Sequence, residues 1–275
     1  EVGAETAGAV GRVRYAASGA WRRAEDYTTG DDVEVPAAFR TAEARTKLGV
    51  RTSPNSLLTL SGAYQAQRDI DYPGRPMNAD YFDVYNGSAR WELKRDRGAL
   101  LGLDALVYAY DVDHEMTNDG KPTAEPNPDR MPPFPLDMST WAGIRVYGGR
   151  LATRLDAGRD WRVELGGDVY SATHDAGRRR GRRDTGALLG TDLIWGGANI
   201  VDAGLFARAE RAFGGIDLSA AVRVDRVRAA ADSASEFFRT NVSDDLDASE
   251  TNLSAALTVG MPVSSHWTLS TGLGS

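Results

Sequence analysis

Between Trp161 and Tyr170 the chain reads WRVELGGDVY. Trp161, Val163, Leu165, Gly167 and Val169 are apolar or small, while Arg162, Glu164, Gly166, Asp168 and Tyr170 form a charged and polar set. A period of two places these sets on opposite faces of an extended strand. The pattern recurs along the chain. Val13, Tyr15, Ala17, Gly19 and Trp21 oppose Arg12, Arg14, Ala16, Ser18 and Arg22. Ala42 to Val50, Leu58 to Tyr64 and Ile216 to Val224 repeat it. Further strands are predicted near 80–94, 99–111, 142–155, 200–211, 251–261 and 267–274. The total is about eleven strands, many of them longer than the usual strand of about 5–6 residues.

The connections carry a second regularity. Long ones such as EDYTTGDDVEVPAA and DHEMTNDGKPTAEPNPDRMPPFPLDM alternate with short ones such as SPNS, KRDRG, DAGRD, AFGG and PVSSH. Successive connections of an up-and-down sheet lie at opposite ends. Alternating lengths therefore predict one end of tight turns and one of long loops, as in bacterial outer-membrane barrels. Soluble Greek-key sandwiches have little reason to sort loop length in this way.

Alternation alone does not say which face meets water, because a soluble barrel and a membrane barrel share it. Three features point to lipid on the apolar side. The strands reach the roughly 9–11 residues needed to cross a bilayer at a tilt. Trp91, Trp161 and Trp267 stand beside short turns, as in an interfacial girdle. The apolar faces are rich in Ala, Gly and Thr, which would fill a soluble core poorly. Facing is expected to follow: Leu101, Leu103, Val107, Leu165 and Val222 outward, and Arg162, Glu164, Asp168, Arg223 and Asp225 on the concave side.

Composition removes several alternatives. The 275 residues include no cysteine, so disulfides and thiolate metal sites are excluded. With 32 basic and 39 acidic residues the formal net charge is −7, which disfavours a nucleic-acid partner. Mean hydropathy is −0.40 and no run of about eighteen apolar residues occurs, so no membrane-spanning helix is expected. No GxSxG, HExxH or Walker-type motif is present, and the chain is not expected to be an enzyme.

The segment GLFARAER followed by IDLSAAVRVDRV is similar to the barrel of TonB-dependent outer-membrane receptors. The segment YAYDVDHEMTND, with RMPPFPLDM and YGGRLATRL, resembles the middle of the barrel in that family's copper-receptor branch. The resemblance implies an all-β, antiparallel up-and-down transmembrane β-barrel, here incomplete, with about 11 of perhaps 22 strands. It implies residence in the outer membrane, contact with lipid bilayer and lipopolysaccharide, and energised uptake of a scarce small-molecule or metal-chelate ligand (siderophore, copper or cobalamin class). It further implies coupling to TonB through an N-terminal region. No plug or TonB-box-like segment is seen before residue 9, and the chain stops within an alternating strand. Residues 1–275 are thus expected to be a partial barrel domain, with plug and closing strands absent. A porin, a barrel enzyme and a secreted β-rich adhesin remain as alternatives.

Two groups of side chains stand out in the long connections. His114, Met116, Met131 and Met138 bring together soft donors suited to copper, above all Cu(I). Copper would be cargo, and no resident cofactor is expected. Methionines that simply fill gaps in a folded loop would look the same. Arg178, Arg179 and Arg180 begin a basic run able to hold an anionic ligand through bidentate hydrogen bonds, or to remain a solvated loop. Loops 112–140 and 173–199 are accordingly the expected ligand-binding segments. The acidic groups Asp111, Asp113 and Glu115, and Asp244, Asp245 and Asp247, lack the spacing of a calcium loop.

Overall fold

The computed structural model describes residues 1–264 and 266–275. Twelve long strands follow one another, each antiparallel to the next. They are β1 (Val2–Val10), β2 (Val13–Ala24), β3 (Phe39–Ser53), β4 (Ser56–Ile70), β5 (Asn78–Lys94) and β6 (Leu100–Thr117), then β7 (Leu136–Gly158), β8 (Trp161–Arg182), β9 (Leu188–Phe213), β10 (Ile216–Ala230), β11 (Asp247–Pro262) and β12 (Thr268–Gly274). Ser233–Ala234 adds a short strand beside β9, and Tyr27–Thr28 pairs with Glu34–Val35 in a separate ribbon. No crossover interrupts the order, and β1 and β12 each pair on one side only. The strand missing from the sequence reading is β1. Its VGAETAGAV alternates with low amplitude because Glu5 is its one charge. Pairing from Val2↔Trp21 to Val10↔Val13 nonetheless holds it beside β2.

The two ends differ as expected. At one end the connections are 11–12, 54–55, 95–99, 159–160, 214–215 and 263–267. The expected turn Pro262–His266 includes Ser265, which lies outside the described residues. Gly214 and Gly215 both have positive φ (55° and 77°), the geometry of the two-residue hairpin turn that matches strand twist. Arg159 and Asp160 adopt the same region (53° and 64°) without glycine's freedom. At the other end lie 25–38, 71–77, 118–135 and 231–246. The expected long loop 174–199 is different. Strands β8 and β9 run on to a tip at 183–187, with register shifts between His174 and Gly177 and at Arg180/Gly181. The apolar alternation then ceases while the hydrogen bonding continues, so sequence periodicity reads the extension as loop.

The registers assemble the faces strand by strand. One row runs Val10, Val13, Val50, Leu58, Trp91, Ala105, Leu151, Gly167, Leu205, Val224 and Leu253, every neighbour a direct cross-strand partner. Every member is apolar. Leu205 is 68% exposed and Leu253 71%, so the row forms a continuous uncovered apolar surface. One residue along, on the opposite face, the row reads Arg14, Gly49, Thr59, Arg90, Leu106, Arg150, Asp168, Gly204, Asp225 and Asn252.

This second face is laced with ion pairs. Arg90 reaches Asp104 at 2.7 Å, and Arg150 and Arg154 approach Glu164 at 3.4 and 3.5 Å. Arg223 grips Asp168 with two hydrogen bonds of 2.8 Å, crossing the intervening strand directly over Gly204. A Cβ on Gly204 would overlap that guanidinium and the Asp225 carboxylate, so the clamp needs glycine there. Glu164, Asp168, Arg223 and Asp225 thus share a face opposite Leu165, Val169 and Val222, as the alternation requires.

The apolar face has a sharp edge toward the long loops. Tyr64, Tyr85, Asp111, Arg145 and Thr173 form one cross-strand row on that side, with Asp111 and Arg145 paired at 3.2 Å. Charge appears on both faces beyond it. Most of the buried side chains lie toward this end: Ile70, Ala79, Val84, Val112, Ala172, Ala176 and, within loop 118–135, Ala124, with Ala152 apart from them.

Candidate functional site

Strand β6 carries two of the expected soft donors. His114 and Met116 are separated by one residue and project from the same face as Asp104 and Tyr108, the ion-paired one. Both lie beyond the Asp111–Arg145 row, outside the zone where the outer face is apolar. They are strand residues, not loop residues. The local cause is pairing: Phe82↔His114↔Ala142 and Ala79↔Met116↔Thr140 extend the ladder past the apolar band. His114 stacks on Phe82, with ring centroids 5.1 Å apart and planes at 22°. Its Nδ1 is buried and has no hydrogen-bond partner among the described residues. Burial holds the imidazole pKa below its ordinary value, with Asp113 opposing more weakly, so the neutral form with a free lone pair is favoured.

Met138 sits on the neighbouring strand β7, two residues from Thr140 and on the same face. Asn118 fixes it: the backbone N–H of Met138 donates to Asn118 Oδ1 at 2.9 Å, and Asn118 N–H donates to the Met138 carbonyl at 3.1 Å. Asn118 is itself fully buried, and its Nδ2 donates to Thr123 Oγ1 and the Leu136 carbonyl. Met131 is not part of this neighbourhood. It lies in loop 118–135, 92% exposed, while the loop around it is anchored by Arg130 donating to the carbonyls of Pro122, Glu125, Pro132 and Phe134. Of the four expected donors, His114, Met116 and Met138 thus share one face of neighbouring strands, and Met131 lies apart in the exposed loop.

The arginine run is also on a strand. Arg178 and Arg180 project from β8 on the face of Thr140 and Met138, their direct partners, and Arg179 projects from the other. Each is matched to a carboxylate. Arg178 holds Asp192 through Nε at 3.3 Å and Nη2 at 2.6 Å, Arg180 lies 3.5 Å from the same carboxylate, and Arg179 lies 3.5 Å from Asp137. Arg182 pairs with Asp184, Arg183 with Asp119. The hydrogen bonds from Arg178 keep the Asp192 carboxyl below its usual range. The run is charge-compensated hairpin structure, which leaves little uncommitted positive charge for an anion.

Sequence reasoning missed Met77, Thr140, Asn118 and Lys121, whose roles depend on pairing and burial. Lys121 is buried and donates to the Tyr72 carbonyl at 2.8 Å, tying loop 118–135 to loop 71–77. The acidic groups weighed for calcium are dispersed: Asp111 pairs with Arg145, Asp244 with Arg239 and Asp247 with Arg228. Among the described residues no three His, Cys, Asp or Glu side chains converge as a metal site.

No protein-family model matches the sequence, and no curated protein matches it. Solved structures do match in fold. The copper transporter OprC superposes with a TM-score of 0.74 at 21% identity, covering 95% of this chain and 40% of that one. The Serratia marcescens hemophore receptor HasR, in complex with its hemophore HasA and heme, gives 0.67 at 18% identity, with coverages of 99% and 42%. The FrpB iron transporter from Neisseria meningitidis (F3-3 variant) gives 0.65 at 16%, with coverages of 98% and 44%. The chain spans less than half the length of each. Its fold is that of part of the TonB-dependent receptor barrel, as the sequence resemblance implied.

Proposed function

We propose that this chain is a segment of the barrel wall of an outer-membrane receptor that takes up a scarce nutrient, with a metal ion or metal chelate as cargo. The carrying observation is the apolar row that crosses eleven strands unbroken, backed by an ion-paired opposite face. Such a sheet suits a wall between lipid and a polar lumen. A lone sheet with free edges at β1 and β12 is unstable in lipid. Further strands therefore close the wall, a plug fills the lumen, and TonB drives passage through an N-terminal region. The apolar face meets bilayer, and lipopolysaccharide bounds it on the long-loop side.

Within this reading the cargo is copper, and His114 and Met116 are its ligands on this chain. The neutral imidazole and thioether are a soft pair, one residue apart on one strand face, and the Nδ1 of His114 has no partner to give up. Two donors do not complete a coordination sphere, so further donors join them. The test is growth of a receptor-deleted strain on limiting copper, limiting ferric siderophore or limiting cobalamin, complemented by the intact receptor. Rescue on copper that is lost on replacing His114 and Met116 by alanine supports the reading. Rescue on the iron or cobalamin medium alone replaces the cargo and keeps the receptor. Rescue on none, with protein in the outer membrane, removes the uptake function.

A further inference from the structure

Loop 71–77 brings one more thioether to the same place. The Oγ1 hydroxyl of Thr140 donates to the sulfur of Met77 at 3.6 Å. Thr140 is the direct cross-strand partner of Met116, and Met138 lies two residues along the same strand face. Direct partners in an antiparallel pair place their Cβ atoms about 4.5–5.5 Å apart. Thr140 thus has the Met77 sulfur at its hydroxyl, Met116 as its cross-strand partner and Met138 two residues along its own strand face, with His114 one step toward the apolar band.

The position of Met77 is built. Asn78, which follows it, donates through Nδ2 to Asp71 at 2.6 Å and to the Asp119 carbonyl at 3.2 Å, and accepts from the Tyr72 N–H at 3.0 Å. The buried Lys121 closes the loop from the other side through the Tyr72 carbonyl. Loop 71–77 is therefore clamped at both ends. The Thr140 hydroxyl occupies one sulfur lone pair and leaves the second for a metal. Packing alone explains a methionine at a gap. It does not explain why register and loop closure bring three of the chain's five methionines to the neighbourhood of Thr140 while Met131 is left in solvent.

We infer that Met77 is a further soft-metal donor at the His114–Met116 site, presented by loop 71–77 and positioned by Thr140. The inference rests on the copper reading of that site and adds to it a ligand and the loop that carries it. A site with several thioethers and one imidazole selects Cu(I) over harder divalent ions.

The experiment titrates the intact receptor in detergent with Cu(I) against a chromophoric competitor chelator, and counts copper–sulfur neighbours by X-ray absorption. Met77→Leu conserves volume and so preserves the fold. It should weaken Cu(I) binding by about tenfold and lower the sulfur count by one, while Met131→Leu changes neither. Thr140→Val, which removes the hydroxyl and keeps the shape, should weaken binding less than Met77→Leu. Unchanged affinity and sulfur count in Met77→Leu, with a loss in Met116→Leu, overturns this inference and leaves the copper site standing. Unchanged affinity in His114→Ala and Met116→Leu as well overturns both.

Discussion

Leu205→Arg tests the wall at a strongly exposed position. On β9 the apolar-face positions Val201, Ala203, Leu205, Ala207 and Ala209 form an uninterrupted stretch, with Arg211 beyond it on the same face. Leu205 is its midpoint, four residues from either limit. At about 3.3 Å per residue that is ~13 Å along the strand, or ~10 Å along the bilayer normal for a tilt of about 40°. An arginine there can neither pair across the face, where Gly167 and Val224 are the partners, nor easily reach an interface. Charged substitutions at this depth of a membrane barrel cost about 2–4 kcal/mol. The folding equilibrium should shift by roughly 30- to 1,000-fold at about 1.4 kcal/mol per decade. In water the same change at a 68% exposed leucine would cost within about 0.5 kcal/mol. The assay is reversible denaturant unfolding of the intact receptor in phospholipid vesicles. Asn252→Arg on the opposite, polar face serves as the control. Equal midpoints for the two variants would refute the assignment of the faces.

Three further outcomes follow from particular contacts. Gly204→Ala should cost about 1–3 kcal/mol by displacing Arg223 from Asp168, and Arg223→Lys should cost a similar amount, because an ammonium cannot reproduce the two 2.8 Å bonds. The cost stays below that of a fully buried pair because both partners are about a third exposed; vesicle unfolding reads it. Copper affinity should persist below the ordinary histidine pKa of about 6.5 and fall only as pH drops through the lower folded-state value, where His114 takes up a proton. Titrations between pH 4.5 and 7.5 check this, and loss of binding already near neutrality would contradict it. The Asp192 carboxyl is depressed by Arg178, so its contribution to the β8–β9 hairpin is complete above the unfolded value of about 4 and is lost as pH falls through the folded one. Hydrogen exchange at 190–193 should show protection that weakens only in strong acid.

The strands that were legible in the sequence are those that lie between two unlike solvents. Val163, Leu165 and Val169 against Arg162, Glu164 and Asp168 declare both a strand and its two faces, because the proposed lipid and lumen sides make opposite demands on alternate residues. The signal fades wherever that contrast does. In β1 the lumen side is nearly as small as the lipid side. At Arg178–Arg182 the apolar alternation stops, and the arginines find Asp192 and Asp137 only once the hairpin is formed. The proposed metal site was half legible for a related reason. His114 and Met116 stand one residue apart on the same face of their own strand, and their chemistry shows in the sequence. Met77 and Thr140 come near them through strand register and loop closure, which no local pattern records. Met131 lies apart from Met138 in the fold, because sequence proximity says nothing about which side of a folded loop a residue takes.

Residues 1–275 contain no cysteine, so a cysteine introduced into this part of the wall marks one position of it. Single cysteines placed at 201 to 209 of the intact receptor can be labelled with an environment-sensitive fluorophore, reconstituted in vesicles, and challenged in turn by a nitroxide lipid and a water-soluble quencher. A wall between lipid and lumen predicts strict alternation: lipid quenching at 201, 203, 205, 207 and 209, aqueous quenching at 202, 204, 206 and 208. Uniform aqueous quenching, or lipid quenching at the even positions, would contradict it.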